Sequence, residues 1–73
     1  MNAKEWLAAY ARELGVDPPT AAELKAILEL AAEAAHASER IAAPAASWLS
    51  AKSGRSLDES LVLAKQIGAA SDA

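Results

Sequence analysis

Cysteine and phenylalanine are both absent from this chain of 73 residues, and its aromatic residues are limited to Trp6, Tyr10 and Trp48. Without cysteine, the chain has no disulfide framework and no thiolate metal site. With few β-branched and aromatic residues, nothing in the composition favours a β-strand. The commonest residue is alanine, which has the highest helix propensity and occurs 21 times. The composition therefore predicts an all-α fold.

The chain also lacks an excess of positive charge and a long apolar run. Its net charge is −3 with both signs interspersed, whereas nucleic acids and anionic membrane surfaces attract clustered basic residues. The longest uncharged stretch, residues 41–51, is too short to span a bilayer. Lys4 and Glu5 stand where a secretion signal would need apolar residues. We therefore expect no nucleic-acid partner, no membrane partner and a cytoplasmic location.

The length predicts a single helical domain over residues 1–73. A chain of this size buries only about 60% of the surface that its unfolded form exposes, so its stability is expected to be marginal. Small domains gain stability from disulfides, metals or partners. Since the chain has no cysteine, either very good helix packing or burial against another protein is expected.

Capping and terminating residues divide the chain into four short helices that predict a compact bundle. Side chains suited to capping boxes occur as the pairs Asn2 and Glu5, Thr20 and Glu23, and Ser56 and Glu59. Terminators or turn formers occur at Gly15, Pro18, Pro19 and Gly54. The predicted helices cover about residues 3–14, 21–40, 44–53 and 57–68, followed by a fraying tail at 69–73.

Large apolar residues at helical spacing predict the core. The residues expected to be mostly buried are Trp6, Leu7, Tyr10, Leu14, Leu24, Ile27, Leu28, Trp48, Leu57 and Leu61. Val62 is the exception, because it lies opposite Leu57 and Leu61 on its helix. On the second helix the apolar arc covers about half of the circumference, which indicates a central helix with at least two neighbours.

A polar stripe on the second helix is the most informative surface feature. Its residues fall within roughly 80° of the helical circumference, and they are Lys25, Glu29, Glu33, His36 and Arg40. One interpretation is a solvated face with local ion pairs, Lys25 with Glu29 and Glu33 with His36. The other is a partner-binding site formed by Glu33, His36 and Arg40, in which Arg40 binds a carboxylate or a phosphate.

Glu33 and His36 also have the Glu-x-x-His spacing of di-iron helix bundles. Such sites need two of these motifs and two further carboxylates, whereas this chain has one motif and one histidine. A symmetric dimer would complete the set, with Glu29 or Glu13 as the additional ligand. We therefore predict no metal site and no cofactor, and a dimeric metal-binding helical protein stays as an alternative.

Motifs for catalysis are missing. The chain has no Gly-x-Ser-x-Gly, no P-loop and no Gly-x-Gly-x-x-Gly. Its one histidine, His36, is only two residues from Ser38, and side chains at that spacing diverge on a helix. A bundle of this size also has little room for an enclosed pocket. The sequence predicts a non-enzymatic protein without catalytic residues.

Several short motifs between residues 2 and 54 resemble an uncharacterised short helical family of high-GC bacteria. They are Glu5-Trp6-Leu7, Leu14-Gly15-Val16-Asp17, Leu28-Glu29-Leu30-Ala31, Ala35-His36, Glu39-Arg40, Ala42-Ala43-Pro44 and Trp48-Leu49. Members of that family stand alone or are appended to a molybdenum-cofactor guanylyltransferase. The chain departs from the family pattern at Ile41, often a proline, and at Ala37-Ser38, often Gly and an apolar residue. Both departures predict a longer second helix here.

The resemblance implies an accessory function. The chain would be a small subunit or adaptor that binds a molybdoenzyme, such as a formate dehydrogenase, or a protein of molybdenum-cofactor maturation. An alternative is a binding protein for a small anionic ligand, such as a pterin dinucleotide, through Arg40 and His36.

Overall fold

The computed structural model describes residues 1–71 of the chain, and side chains within residues 1–68. These residues form four helices and no strand: α1 (Ala3–Leu14), α2 (Ala21–Ala37), α3 (Ala42–Ser53) and α4 (Leu57–Ser71). The all-α fold of four helices predicted from the composition and capping residues is confirmed.

Local hydrogen bonds explain where the helices begin. The Oδ1 atom of Asn2 accepts a hydrogen bond from the Glu5 amide at 2.8 Å. A reciprocal capping box forms at α2, because Thr20 Oγ1 accepts from the Glu23 amide at 3.1 Å and Glu23 Oε1 accepts from the Thr20 amide at 2.8 Å. Each bond satisfies a backbone donor that the first helical turn leaves unpaired.

The start of α4 differs from the predicted capping box. Ser56 Oγ accepts from the Glu59 amide at 3.1 Å, as expected. The Glu59 carboxylate is instead 3.4 Å from Arg55 Nη1, in an exposed ion pair. The cap of α4 therefore depends on the serine, while the glutamate interacts with the arginine.

Two glycines with positive φ end α1 and α3. Gly15 has φ 78° and Gly54 has φ 75°, a backbone conformation that costs other residues energy. After α1, the amide of Gly15 donates to the Arg12 carbonyl at 3.2 Å, and the amide of Val16 donates to the Ala11 carbonyl at 3.0 Å. These two bonds form a Schellman motif, which turns the chain towards α2.

The predicted end of α2 and start of α3 were wrong by two or three residues. α2 ends at Ala37 instead of residue 40, because Ser38 leaves the helical backbone conformation, with φ −142° and ψ −100°, and its hydroxyl donates to the Ala34 carbonyl at 2.8 Å. The departures from the family pattern therefore do not lengthen this helix. α3 begins at Ala42 instead of residue 44, which places Pro44 in its first turn, where the missing amide costs nothing.

α4 continues to Ser71, three residues beyond its predicted end at residue 68, so residues 69–71 of the predicted tail are helical. The rest of that tail, residues 72–73, lies outside the described residues.

Helix α2 is central, since it packs against both α3 and α4. Leu30 of α2 is 3% exposed and Ala11 of α1 is 6% exposed, and they are the buried hydrophobic residues of the described chain. Around them is a half-buried layer that includes Leu7, Leu24, Ile27, Leu57 and Leu61. Periodicity placed these five residues on the correct sides of their helices.

The other five predicted core residues are exposed, which corrects the sequence interpretation. The exposed fractions are 53% for Trp6, 49% for Tyr10, 58% for Leu14, 59% for Leu28 and 62% for Trp48. Helical periodicity shows which face of a helix is apolar, but it does not show whether another helix packs against that face. Among the described residues, close helix packing is confined to α2 with α3 and α2 with α4, so much of the apolar surface of α1 and α3 remains uncovered.

Candidate interaction surfaces

The three predicted partner-binding residues occupy different surroundings at the end of α2. His36 is exposed in the last turn of the helix, and Arg40 is exposed in the turn that follows it. Because α2 ends at Ala37, Arg40 does not continue the helical face on which the sequence placed it. Ile41, next to Arg40, is 77% exposed and adds an apolar side chain to this surface.

Glu33 differs from its two companions because it is half-buried and faces α4. Its Oε1 atom lies 3.2 Å from the position that a Cβ atom would take on Gly68. The missing side chain of Gly68 thus leaves room for this carboxylate. Glu33 belongs as much to the contact between α2 and α4 as to the polar stripe.

The local ion pairs expected along the polar stripe do not form among the residues that the structure describes. The ion pair that forms among the described residues joins Arg55, just before α4, to Glu59 on α4. Their side chains are 57% and 61% exposed. An exposed pair of this kind contributes at most about 1 kcal/mol to stability. The stripe therefore has no charge network that would fix its side chains.

No group of three or more His, Cys, Asp and Glu side chains within the described residues is arranged to hold a metal ion. One cavity of about 470 Å³ lies at the starts of α2 and α4, where Glu23, Arg55 and Asp58 contribute to its lining. Neither His36 nor Arg40 lines it. This geometry does not bring the residues proposed to bind an anionic ligand into a cavity.

An apolar groove of about 270 Å³ lies between α3 and α4, and we call it the α3–α4 groove. Its lining includes Leu30, Ala46, Leu49, Ser60, Leu63 and Ala64. Leu49 and Leu63 remain 59% and 41% exposed on its two sides. Buried Leu30 belongs to α2, so the groove opens on the side of α3 and α4 away from that helix.

A second apolar surface is the aromatic ridge of α1, formed by Trp6, Tyr10 and Leu14. These residues are four positions apart, so they follow one another along one side of the helix. The ring centroids of Trp6 and Tyr10 are 5.0 Å apart with planes inclined by 33°, a geometry favourable for aromatic rings. The ridge is therefore ordered within the chain although about half of each side chain is exposed.

Trp48 on α3 adds a third exposed aromatic side chain. Its ring lies below the ammonium group of Lys52, with Lys52 Nζ 4.7 Å from the ring centroid. This cation–π contact covers part of the indole without burying it. The sequence interpretation missed these apolar surfaces because it assigned the aromatic residues to the core. A signal was present, since so few large apolar side chains cannot fill the core of four helices.

A family model described as a domain of unknown function (DUF6457) matches residues 1–71 of this chain. No curated protein and no solved structure gives a significant match. Among the described helices, none combines the length and apolarity needed to cross a membrane.

Proposed function

The chain belongs to the DUF6457 family, and we propose that it is a non-enzymatic accessory subunit or adaptor that binds another protein. The observation that carries this proposal is the exposure of its largest side chains. Trp6, Tyr10 and Trp48 are about half exposed or more. Aromatic residues are enriched in protein interfaces, where one side chain buries 150–250 Å².

Stability gives a second argument. The described residues contain two buried hydrophobic side chains, Ala11 and Leu30, so the core contributes little apolar burial. A partner that binds only the folded chain stabilises it by mass action. An interface that covers the exposed aromatic residues would therefore stabilise the fold as well as mediate recognition.

The partner class follows from the resemblance described above. That resemblance implies an association with a molybdenum-cofactor guanylyltransferase, so the proposed partner is that enzyme or a molybdoenzyme such as a formate dehydrogenase. Arg40 is the proposed anchor, together with His36, Glu33 and the neighbouring apolar side chain of Ile41. A guanidinium group binds a carboxylate through two parallel hydrogen bonds, which a lysine cannot reproduce.

Calorimetric titration tests this proposal, with the purified guanylyltransferase and formate dehydrogenase of the same organism as ligands. We expect one of them to bind, and Arg40→Ala to weaken binding by about thirtyfold, or about 2 kcal/mol. Lys65→Ala, a charge-matched change at an exposed position on α4, is the control, because Arg12 lies beside the exposed Trp6 and Tyr10. Equal affinity of all three chains would exclude the Arg40 surface. Lack of binding to both proteins would overturn the partner class.

A further inference from the structure

We propose that α1 opens as a separate unit, by undocking from the start of α2 and unfolding, while α2, α3 and α4 stay folded. The aromatic ridge lies on α1, so this surface exists only while α1 is docked and helical. Opening of α1 thereby controls whether the ridge can be bound. The inference goes beyond the proposed function and holds whichever protein binds the chain.

The hydrogen bonds of α1 stay within its own segment. Among the described residues, those of residues 2–16 run from the cap at Asn2 to the Schellman motif at Gly15 and Val16, and none reaches another helix. The ion pair in the described part of the chain, Arg55 with Glu59, lies elsewhere. Apart from the covalent chain, α1 is therefore attached to the other helices through apolar contacts.

The apolar contact between α1 and the start of α2 is small and incompletely packed. Leu7 is half-buried, and its neighbours on the same face of α1, Ala8 and Ala11, have only a methyl group. Leu7 and Ala8 line a cavity of about 80 Å³ together with Pro19 and Leu24. Atoms beside a void lack contacts on that side. Docking of α1 therefore contributes little apolar burial.

The other three helices are joined more extensively. α2 packs closely against both α3 and α4, and Leu30 of α2, which lies beside residues of both helices, is 3% exposed. The hydroxyl groups of Ser50 and Ser60 also join α3 to α4. Regions with few buried contacts open at a lower free energy than a packed core. The two parts of the chain therefore differ in stability.

The linker between α1 and α2 does not oppose opening. Among the described residues, Asp17, Pro18 and Pro19 make no backbone hydrogen bond that opening would break. Once undocked, α1 is a helix of 12 residues, and isolated helices shorter than about 12–15 residues are marginal in water. Undocking therefore unfolds α1 and separates the rings of Trp6 and Tyr10. The apparent affinity of any partner for the ridge then falls with the closed fraction.

Native-state hydrogen exchange of the full chain, followed by NMR at urea concentrations below the unfolding transition, tests the proposal. α3 is the matched comparison, because it also has 12 residues, ends at a glycine with positive φ and carries an exposed tryptophan. We expect the amides of residues 9–11 to be at least about tenfold less protected than those at the equivalent positions of α3, residues 48–50.

The exchange of α1 should also depend less on urea, since its opening exposes less surface than unfolding of the whole chain. Equal protection and equal urea dependence of α1 and α3 would overturn the proposal.

Leu7→Ala and Leu14→Ala separate docking from the intrinsic stability of the helix. Both replace a leucine of α1 by alanine, but Leu7 is half-buried in the docking contact, whereas Leu14 is 58% exposed. Leu7→Ala is expected to lower the protection of α1 by about tenfold and to leave α3 unchanged. Leu14→Ala should leave both helices close to wild type.

Circular dichroism reports whether each variant keeps the α2–α4 helices. An equal loss of protection in α1 and α3 on Leu7→Ala, or loss of the entire fold in that variant, would show that the four helices unfold as one unit and would contradict the separate opening of α1.

Discussion

The hydroxyl oxygens of Ser50 on α3 and Ser60 on α4 lie 2.5 Å apart, which joins two helices that otherwise meet mainly through α2. Ser60 Oγ also donates to the Ser56 carbonyl at 2.9 Å. Because a hydroxyl has one proton to donate, Ser50 is the donor in the pair. Among the described residues, the buried polar residue is Ser60, which is 9% exposed.

Ser60→Ala is therefore expected to destabilise the fold by about 1 kcal/mol, because it removes both hydrogen bonds of a buried hydroxyl. Ser50→Ala should cost less, since Ser60 keeps its bond to the Ser56 carbonyl. Urea denaturation of the two single variants and the double variant measures the coupling between them. Strictly additive effects would show that the pair contributes nothing to stability.

Two substitutions distinguish the buried core from the exposed aromatic surface. Leu30→Ala should cost about 2–5 kcal/mol, because Leu30 is 3% exposed. That is comparable with the whole stability of about 3–5 kcal/mol that a single core of this size supplies. Trp48→Ala should cost only about 1 kcal/mol, because the ring is 62% exposed and loses mainly its contact with Lys52.

Thermal unfolding followed by circular dichroism checks both values at concentrations where the chain is monomeric. A buried Trp48, as expected from the sequence, would make Trp48→Ala cost about 3–5 kcal/mol instead. If Trp48→Ala proves as destabilising as Leu30→Ala, the indole is buried in solution.

Replacing each of three glycines with alanine should change the stability of the fold in different ways. Gly15→Ala and Gly54→Ala are expected to destabilise by about 1 kcal/mol each, since both residues have positive φ. Gly68→Ala should be neutral or stabilising by up to about 1 kcal/mol, because alanine has the higher helix propensity. The new methyl group would approach Glu33 Oε1 at 3.2 Å, and the flexible end of that side chain can move aside. Chemical denaturation of the three variants measures these differences, and a gain for Gly15→Ala would contradict the assigned cap.

Purified protein should contain no stoichiometric transition metal. His36 is the chain's one histidine, and within the described residues no three potential ligands form a cluster around it. Elemental analysis by plasma mass spectrometry checks this directly. About one iron or manganese ion per chain, lost in His36→Ala, would contradict the prediction and support a metal site completed by a second copy.

Sequence reasoning located the helices well where local interactions decide their ends. Thr20 and Glu23 form their capping box in the structure, and Gly15 and Gly54 end helices as predicted. Such signals work because donor and acceptor are within four residues of each other. The C-terminal end of α2 was missed because Ser38 leaves the helical conformation while its hydroxyl donates to the Ala34 carbonyl, and residue type alone does not specify such a local side-chain bond.

The sequence by itself determined the all-α class, the number of helices and the apolar side of each one, because helix propensity, capping and periodicity act within a few residues. Only the tertiary structure decided which apolar sides are covered. Leu30 is buried although it was not among the predicted core residues, whereas Leu28 and Trp48, which were, are exposed. Burial depends on whether another helix lies opposite, and that depends on contacts between residues far apart in the chain. The candidate interface became visible for the same reason, because the α3–α4 groove exists only once two helices have packed on α2.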